Sequence, residues 1–191
     1  MKRITFSLLA LAILACVVAF IASASVHAAE EASPIASSIA SSIASPIYGV
    51  TIPDGYRDWK LIAVKRLLFA GKGEQLRAQL GNDIAIKAFK EGTLPFPDGA
   101  IIAAIHWTQV TSEDNNKVLD VPFPGTQSFV IGSPLNVQFM VKDSKKYAAT
   151  GGWGFADFKD GKPGDEALHK TCFPCHIPAK DRDYVFTRYA P

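Results

Sequence analysis

The sequence predicts an α+β fold, mainly an antiparallel β-sheet with a few short helices, ending in a C-terminal Cys-x-x-Cys-His segment. Three observations predict it. Ala100 to Val110 and Trp153 to Phe158 are apolar and aromatic runs of strand length. Val137, Phe139 and Val141 alternate with Gln138 and Met140, the period that sends one set of side chains to a single sheet face. Helical patterns occur only in short pieces, toward the start of the domain.

The chain opens on Met1-Lys2-Arg3, an apolar run from Ile4 to about Ala22, and Ser23-Ala24-Ser25-Val26-His27-Ala28. Val26 and Ala28 fit the small-residue pattern before a cleavage bond, so residues 1–28 read as a signal peptide. An uncleaved leader is the alternative, because the apolar run is nearly long enough to span a bilayer. Leu14-Ala15-Cys16 loosely resembles a lipoprotein box, but Val17 to Phe20 continue the apolar run past the cysteine. Every version places the body of the protein outside the cytoplasm, in the periplasm. Residues 29–48, with repeated Ser-Ser-Ile-Ala units and prolines, lack the large apolar groups of a core and read as a flexible linker. Residues 49–191 are then one domain.

The whole chain of 191 residues carries a formal charge of +2. Lys2 and Arg3 of the leader account for it, so the exported chain is formally neutral. Nothing in that balance suggests a nucleic-acid surface.

Within the domain, Pro53-Asp54-Gly55-Tyr56 is a turn. Tyr56 to Arg66 fits either a short helix carrying Trp59 and Ile62 or a strand through Leu61 to Val64. Gly71-Lys72-Gly73 marks a loop, followed by an expected short helix with Leu76 and Leu80 on one face. Asn82 or Asp83 caps a second helix, from Ile84 to Lys90, that stops at Gly92 and has Ala85, Ala88 and Phe89 inside. Leu94-Pro95-Phe96-Pro97-Asp98-Gly99 is a rigid turn into the strand bearing His106 and Trp107. Glu113 to Asn116 reads as a solvated loop or hairpin end. Val121 to Pro134 is too broken by proline and glycine for more than a brief strand at Ser128 to Ile131. Gly151-Gly152 opens the strand Trp153 to Phe158. Glycines beside large aromatics there imply close approach of the backbone to something flat, either a cofactor or a packed sheet. Lys180 to Tyr189 closes the chain as a last strand or turn.

Cys172-Phe173-Pro174-Cys175-His176 carries the chemistry. Two intervening residues let a short turn present both sulfurs to one porphyrin edge, and the next residue presents an imidazole to iron. This is the pattern of covalent haem c attachment through Cys172 and Cys175, with His176 as the metal ligand. A disulfide, a thioredoxin-like redox pair and a zinc site recruiting His169 are the alternatives. The motif lies near the chain end, away from the early strand–helix junction of thioredoxins. Adjacent ligands also suit tetrahedral zinc poorly. After the leader these are the only cysteines, in a compartment where haem c is attached.

The C-terminal half resembles the P-460-type cytochromes and their relatives, the beta-form cytochromes c-prime. The residues concerned are Phe139 to Tyr147, Gly151-Gly152-Trp153-Gly154-Phe155, the Cys172–His176 motif and Lys180 to Tyr189. Tyr56 to Trp59 and Phe96 to Gly99 extend the likeness forward, so that it covers about Tyr56 to Pro191. The resemblance implies a periplasmic, mainly β, often dimeric protein with one haem c, held by His176 and open or water-bound on the opposite side. In P-460 enzymes, which oxidise hydroxylamine, a lysine five residues beyond the glycine of the Pro-Asp-Gly turn cross-links to the porphyrin. That position here is Ala104, and no lysine occurs between Lys90 and Lys117. The departure favours the gas-binding branch, which takes nitric oxide or carbon monoxide.

The sixth iron position has three further readings. Met140 would make an electron carrier, His106 or His169 a bis-histidine haem, and no protein ligand an open site. Phe139, Trp153, Phe155 and Phe158 are candidate crowding groups, and Asp157 a candidate proton relay. The function expected is therefore a monohaem c cytochrome that binds nitric oxide or a related small nitrogenous ligand, with or without redox chemistry. Its partners would be a periplasmic electron-transfer protein and a second copy in a homodimer. A six-coordinate electron carrier and a hydroxylamine-oxidising cytochrome are the rivals.

Overall fold

The computed structural model describes residues 43–69 and 73–190. The expected signal peptide, residues 29–42 of the expected linker, and Gly71 and Lys72 of the expected loop lie outside the described residues. Six strands form one antiparallel meander in chain order: β1 (Lys60–Phe69), β2 (Gly73–Gly81), β3 (Ile101–Thr111), β4 (Phe129–Lys142), β5 (Trp153–Lys159) and β6 (Lys162–Pro163). The helices among the described residues are α1 (Asp83–Glu91), α2 (Glu113–Leu119) and α3 (Glu166–His176). The fold is α+β.

Three elements differ from the sequence reading. The short helix expected after Gly73 is instead β2. Leu76 and Leu80, four residues apart, share a face in either geometry, and pairing with both β1 and β3 decides for the strand. Glu113 to Asn116 is not a loop but the start of α2. Ser112 Oγ accepts from the Asn115 N–H, and Glu113 and Asp114 occupy the first turn, where negative charge meets the helix dipole favourably. Of the segment expected to be broken, Val121 to Ser128 is turn and loop, but Phe129 to Pro134 opens the long strand β4. Register shifts opposite Trp107 absorb Pro134, which has no N–H to give the ladder. The ambiguous Tyr56 to Arg66 segment resolves into a 3-10 turn at Tyr56–Asp58 and then β1.

Alternation along the strands sorts the sheet into two faces. One carries Ala103, Ile105, Val137, Phe139 and Phe158, all buried. Phe139 meets Tyr56 and Phe158 edge-on, with centroids 5.1 and 6.0 Å away. The opposite face carries the lateral rows Gln79–Ala104–Gln138–Asp157 and Ile102–Met140–Phe155. That second face meets the C-terminal segment.

At the N-terminal side, Ser45 Oγ donates to the Phe155 carbonyl (3.2 Å) and accepts from the Val50 N–H (3.0 Å). Tyr48 packs on Phe155 at 5.4 Å. The boundary expected between residues 48 and 49 thus falls inside a packed segment. Near β5 the flat neighbours of the glycines are tyrosine rings. A Cβ at Gly154 would lie 2.3 Å from Tyr147 Cζ, and one at Gly151, where φ is +67°, would lie 2.1 Å from Tyr184 Cε2.

α1 keeps the expected signals, with Asn82 as N-cap and Gly92 as C-cap, and buries Ala85, Ile86 and Ala88. Asn82 does more than cap. Its Oδ1 accepts from the N–H groups of Ala85 (3.0 Å) and Ile101 (3.1 Å), and its Nδ2 donates to the Gly99 carbonyl (2.8 Å). One side chain thereby ties the start of α1 to the start of β3. Asn82→Ala is expected to destabilise the protein by about 2 kcal/mol, at the upper end for a lost cap. Urea unfolding of the two proteins checks this, and Asp83→Ala, which breaks only an exposed pair with Lys60, should have a smaller effect.

His106 sits on β3 between Arg77 of β2 and Asn136 of β4, 2% exposed. Burial first, then the positive Arg77, lowers its pKa to about 4 against an opposing hydrogen bond with Asn136. It is a buried neutral histidine. Between about pH 6.5 and about 4 the unfolded chain binds a proton that the folded chain refuses, so stability falls as pH falls through that window. His106→Gln should flatten this part of the profile by up to about 3 kcal/mol, read from urea titrations at several pH values.

Candidate functional site

A cavity of about 560 Å³ lies between the second sheet face and the C-terminal segment. Its size falls within the usual range for cofactor sites. Leu67, Ile102, Met140 and Phe155 supply apolar wall; Lys65, Arg77, Gln79, Gln138 and Asp157 supply polar wall. Cys172, Cys175 and His176 close it from α3.

α3 places these groups by ordinary helix rules. Asp165 caps it, accepting from the Leu168 N–H at 2.8 Å. Cys172 and Cys175, three residues apart, then share one face of the last turn. Pro174 stands inside this turn, and the chain passes at once into a 3-10 helix, Ile177–Arg182. Both thiols are free. Burial, followed by the influence of Asp157 and Cys175, pushes the Cys172 thiol up to about 11, so it is a protonated S–H at neutral pH.

His169 is fully buried and has no ring nitrogen to spare. Nδ1 donates to the Asp165 carbonyl (2.7 Å), and Nε2 accepts from the Asp157 N–H (3.2 Å). It clamps α3 to β5. This geometry removes His169 as a zinc or iron ligand, and among the described residues no group of three His, Cys, Asp or Glu converges as a metal site. His106 does not line the cavity, and neither do Trp153 and Phe158, whereas Met140, Phe139, Phe155, Asp157 and Ala104 do.

His176 is built differently. Its Nδ1 lies 2.7 Å from the Tyr184 carbonyl, which can only accept. Nδ1 therefore carries the proton, and Nε2 keeps its lone pair. Burial lowers the pKa of the ring, against the Tyr184 bond, and favours the neutral form. Phe155 and Phe186 flank the ring at 4.9 and 5.2 Å.

The donor set fits haem c. One imidazole has its outer nitrogen fixed and its inner one free, the arrangement typical of metal-bound histidine. Two thiols share a helix face beside it. Lys65 and Arg77 are the cations among the lining groups and would neutralise the two propionates. The sequence reading missed them because a helix in place of β2 hides the alternation of Arg77 and Gln79 with Ala78 and Leu80. Lys65 lies beside Arg77 in the register and donates to Thr187 Oγ1 at 3.5 Å. Asp157 Oδ2 accepts from Asn136 Nδ2 (2.6 Å) and Gln138 Nε2 (2.8 Å).

No curated protein matches the sequence. The family model described as Cytochrome P460 matches residues 53–187, which span every strand, the cavity and the Cys172–His176 motif. The chain belongs to the cytochrome P460 family and is a haem-binding cytochrome.

Proposed function

We propose that the chain is a periplasmic monohaem c cytochrome with an open iron site, binding nitric oxide or a related small nitrogenous ligand. The observation that carries this reading is the Nδ1–H bond of His176 to the Tyr184 carbonyl, which leaves the Nε2 lone pair unused on a residue that lines the cavity. Cys172 and Cys175 are the attachment sites. Each S–H would add across a vinyl double bond of the haem, sulfur to one carbon and hydrogen to the other, with no net oxidation. The haem supplies the iron on which a small ligand binds and through which an electron passes. The chain's own residues do the rest. Phe155 and Ile102 exclude water from the cavity wall, Gln138 and Gln79 offer hydrogen bonds, and Asp157 is the carboxylate that can hold or hand on a proton. Ala104 lines the cavity without an amine.

A second reading has its own observation, because Met140 also lines the cavity. Thioether ligation there would give a six-coordinate electron carrier. Absorption spectra of ferric, ferrous and ferrous carbon monoxide forms separate the two. An open site is expected to give a high-spin ferrous spectrum that shifts sharply with carbon monoxide and does not change in Met140→Leu. A low-spin spectrum insensitive to carbon monoxide in the native protein, becoming sensitive in Met140→Leu, would sink the open-site reading. A ferrous Soret band displaced far to the red would signal a porphyrin modified by a cavity amine, for which Lys65 is the candidate, and would bring hydroxylamine oxidation forward.

Attachment has a separate test. Acidified organic solvent should leave haem on the native protein and extract it from the Cys172→Ala/Cys175→Ala double variant. Haem that extracts from the native protein would rule out the thioether links.

A further inference from the structure

We propose that the buried Lys142–Asp183 ion pair is a positioning device for His176, holding the Tyr184 carbonyl at the Nδ1–H of the axial ring. The inference rests on His176 being the iron ligand. Asp183 and Tyr184 are consecutive non-glycine residues in the left-handed region, with φ of 52° and 64°. Such conformations are uncommon for a bulky side chain and persist only where the surroundings over-determine them. Here they do so from several sides. Lys142 Nζ lies 2.8 Å from both Asp183 carboxylate oxygens and 3.0 Å from the Gly151 carbonyl. Asp183 Oδ2 also accepts from the Phe96 N–H at 2.8 Å. The Tyr184 ring is seated over Gly151 and against Phe173, 5.3 Å between centroids.

Stability alone is a poor reason for this pair. The two side chains are only 4% and 8% exposed, and a buried ion pair commonly does no better than apolar groups of the same volume. What the pair does provide is a fixed backbone kink eight residues after His176, with one carbonyl aimed at one nitrogen. A carbonyl accepting from Nδ1–H raises the basicity of the other ring nitrogen. A more basic axial ligand strengthens the iron–nitrogen bond and favours ferric iron, which lowers the reduction potential. Lys142 and Asp183 would thereby tune a metal that neither touches.

The test uses the haem-loaded protein and two variants that disturb Tyr184 from opposite sides. Asp183→Asn keeps the volume and tolerates the left-handed conformation, but removes the charge that pairs with Lys142. Gly151→Ala leaves the ion pair and drives a Cβ into the Tyr184 ring. Each is expected to lower the ferrous iron–histidine stretching frequency in resonance Raman spectra and to raise the reduction potential. Lys60→Met, at an exposed pair far from this network in the register, should change neither. If Asp183→Asn does not fold, the Lys142→Met/Asp183→Asn double variant, which leaves no buried charge unpaired, decides. A folded, haem-loaded variant that lacks the ion pair and keeps the native frequency and native potential overturns the proposal. An absent iron–histidine band in the native protein is a different failure, and removes His176 as the ligand.

Discussion

A six-stranded meander has two faces to keep from water, and this chain has apolar protein enough for one. The face bearing Ala103, Val137, Phe139 and Phe158 is sealed by its own aromatics and Tyr56. The other presents Ile102, Met140 and Phe155 beside Arg77, Gln79 and Asp157. The C-terminal segment does not fill it, and the result is a cavity with mixed walls. Such a surface suits a large flat cofactor, apolar over its ring and charged at its edge. Every special feature of the C-terminal segment serves the closure of that face: the Asp165 cap, the His169 clamp, the turn of α3 that carries both thiols, and the kink at Asp183–Tyr184.

Much of this was legible in the sequence, and for identifiable reasons. The Cys172–His176 motif stands out by spacing alone, and the fold brings Cys172, Cys175 and His176 to one cavity. α1 was readable because Asn82 and Gly92 punctuate it and its inner face is made of small residues. β5 was readable because Trp153 to Phe158 cannot be anything but buried. What failed did so where two periods coincide or where a side chain competes with composition. Leu76 and Leu80 satisfy helix and strand equally, and only the partners β1 and β3 settle the matter. Ser112 turned an acidic loop into a helix. Pro134 looked like the end of a strand but was absorbed by a shift in register.

The least legible parts of the site are backbone and lateral relations. A sequence shows His169 and His176 as two equivalent imidazoles seven residues apart. The fold makes them opposites: one has both nitrogens spent on Asp165 and Asp157, and the other has one nitrogen spent on Tyr184 and one in reserve. Nothing in the residue types predicts this, because all three partners are main-chain groups. Lys65 and Arg77 likewise reach the cavity only because β1 and β2 pair in a particular register.

The closing contacts of the C-terminal segment also bear on how the protein is made. The meander is assembled from neighbouring hairpins, whose contacts are local and whose loop-closure entropy is small. The contacts that seal the cavity are not: Asp183 reaches back to Phe96, and the Ala190 N–H reaches back to the Ile62 carbonyl at 2.9 Å. These long closures are the costliest in chain entropy and form after the hairpins. A chain whose C-terminal segment has not docked therefore leaves the second sheet face uncovered. In such a chain the α3 thiols are not yet held against that face, so docking of the last residues is what encloses the cavity.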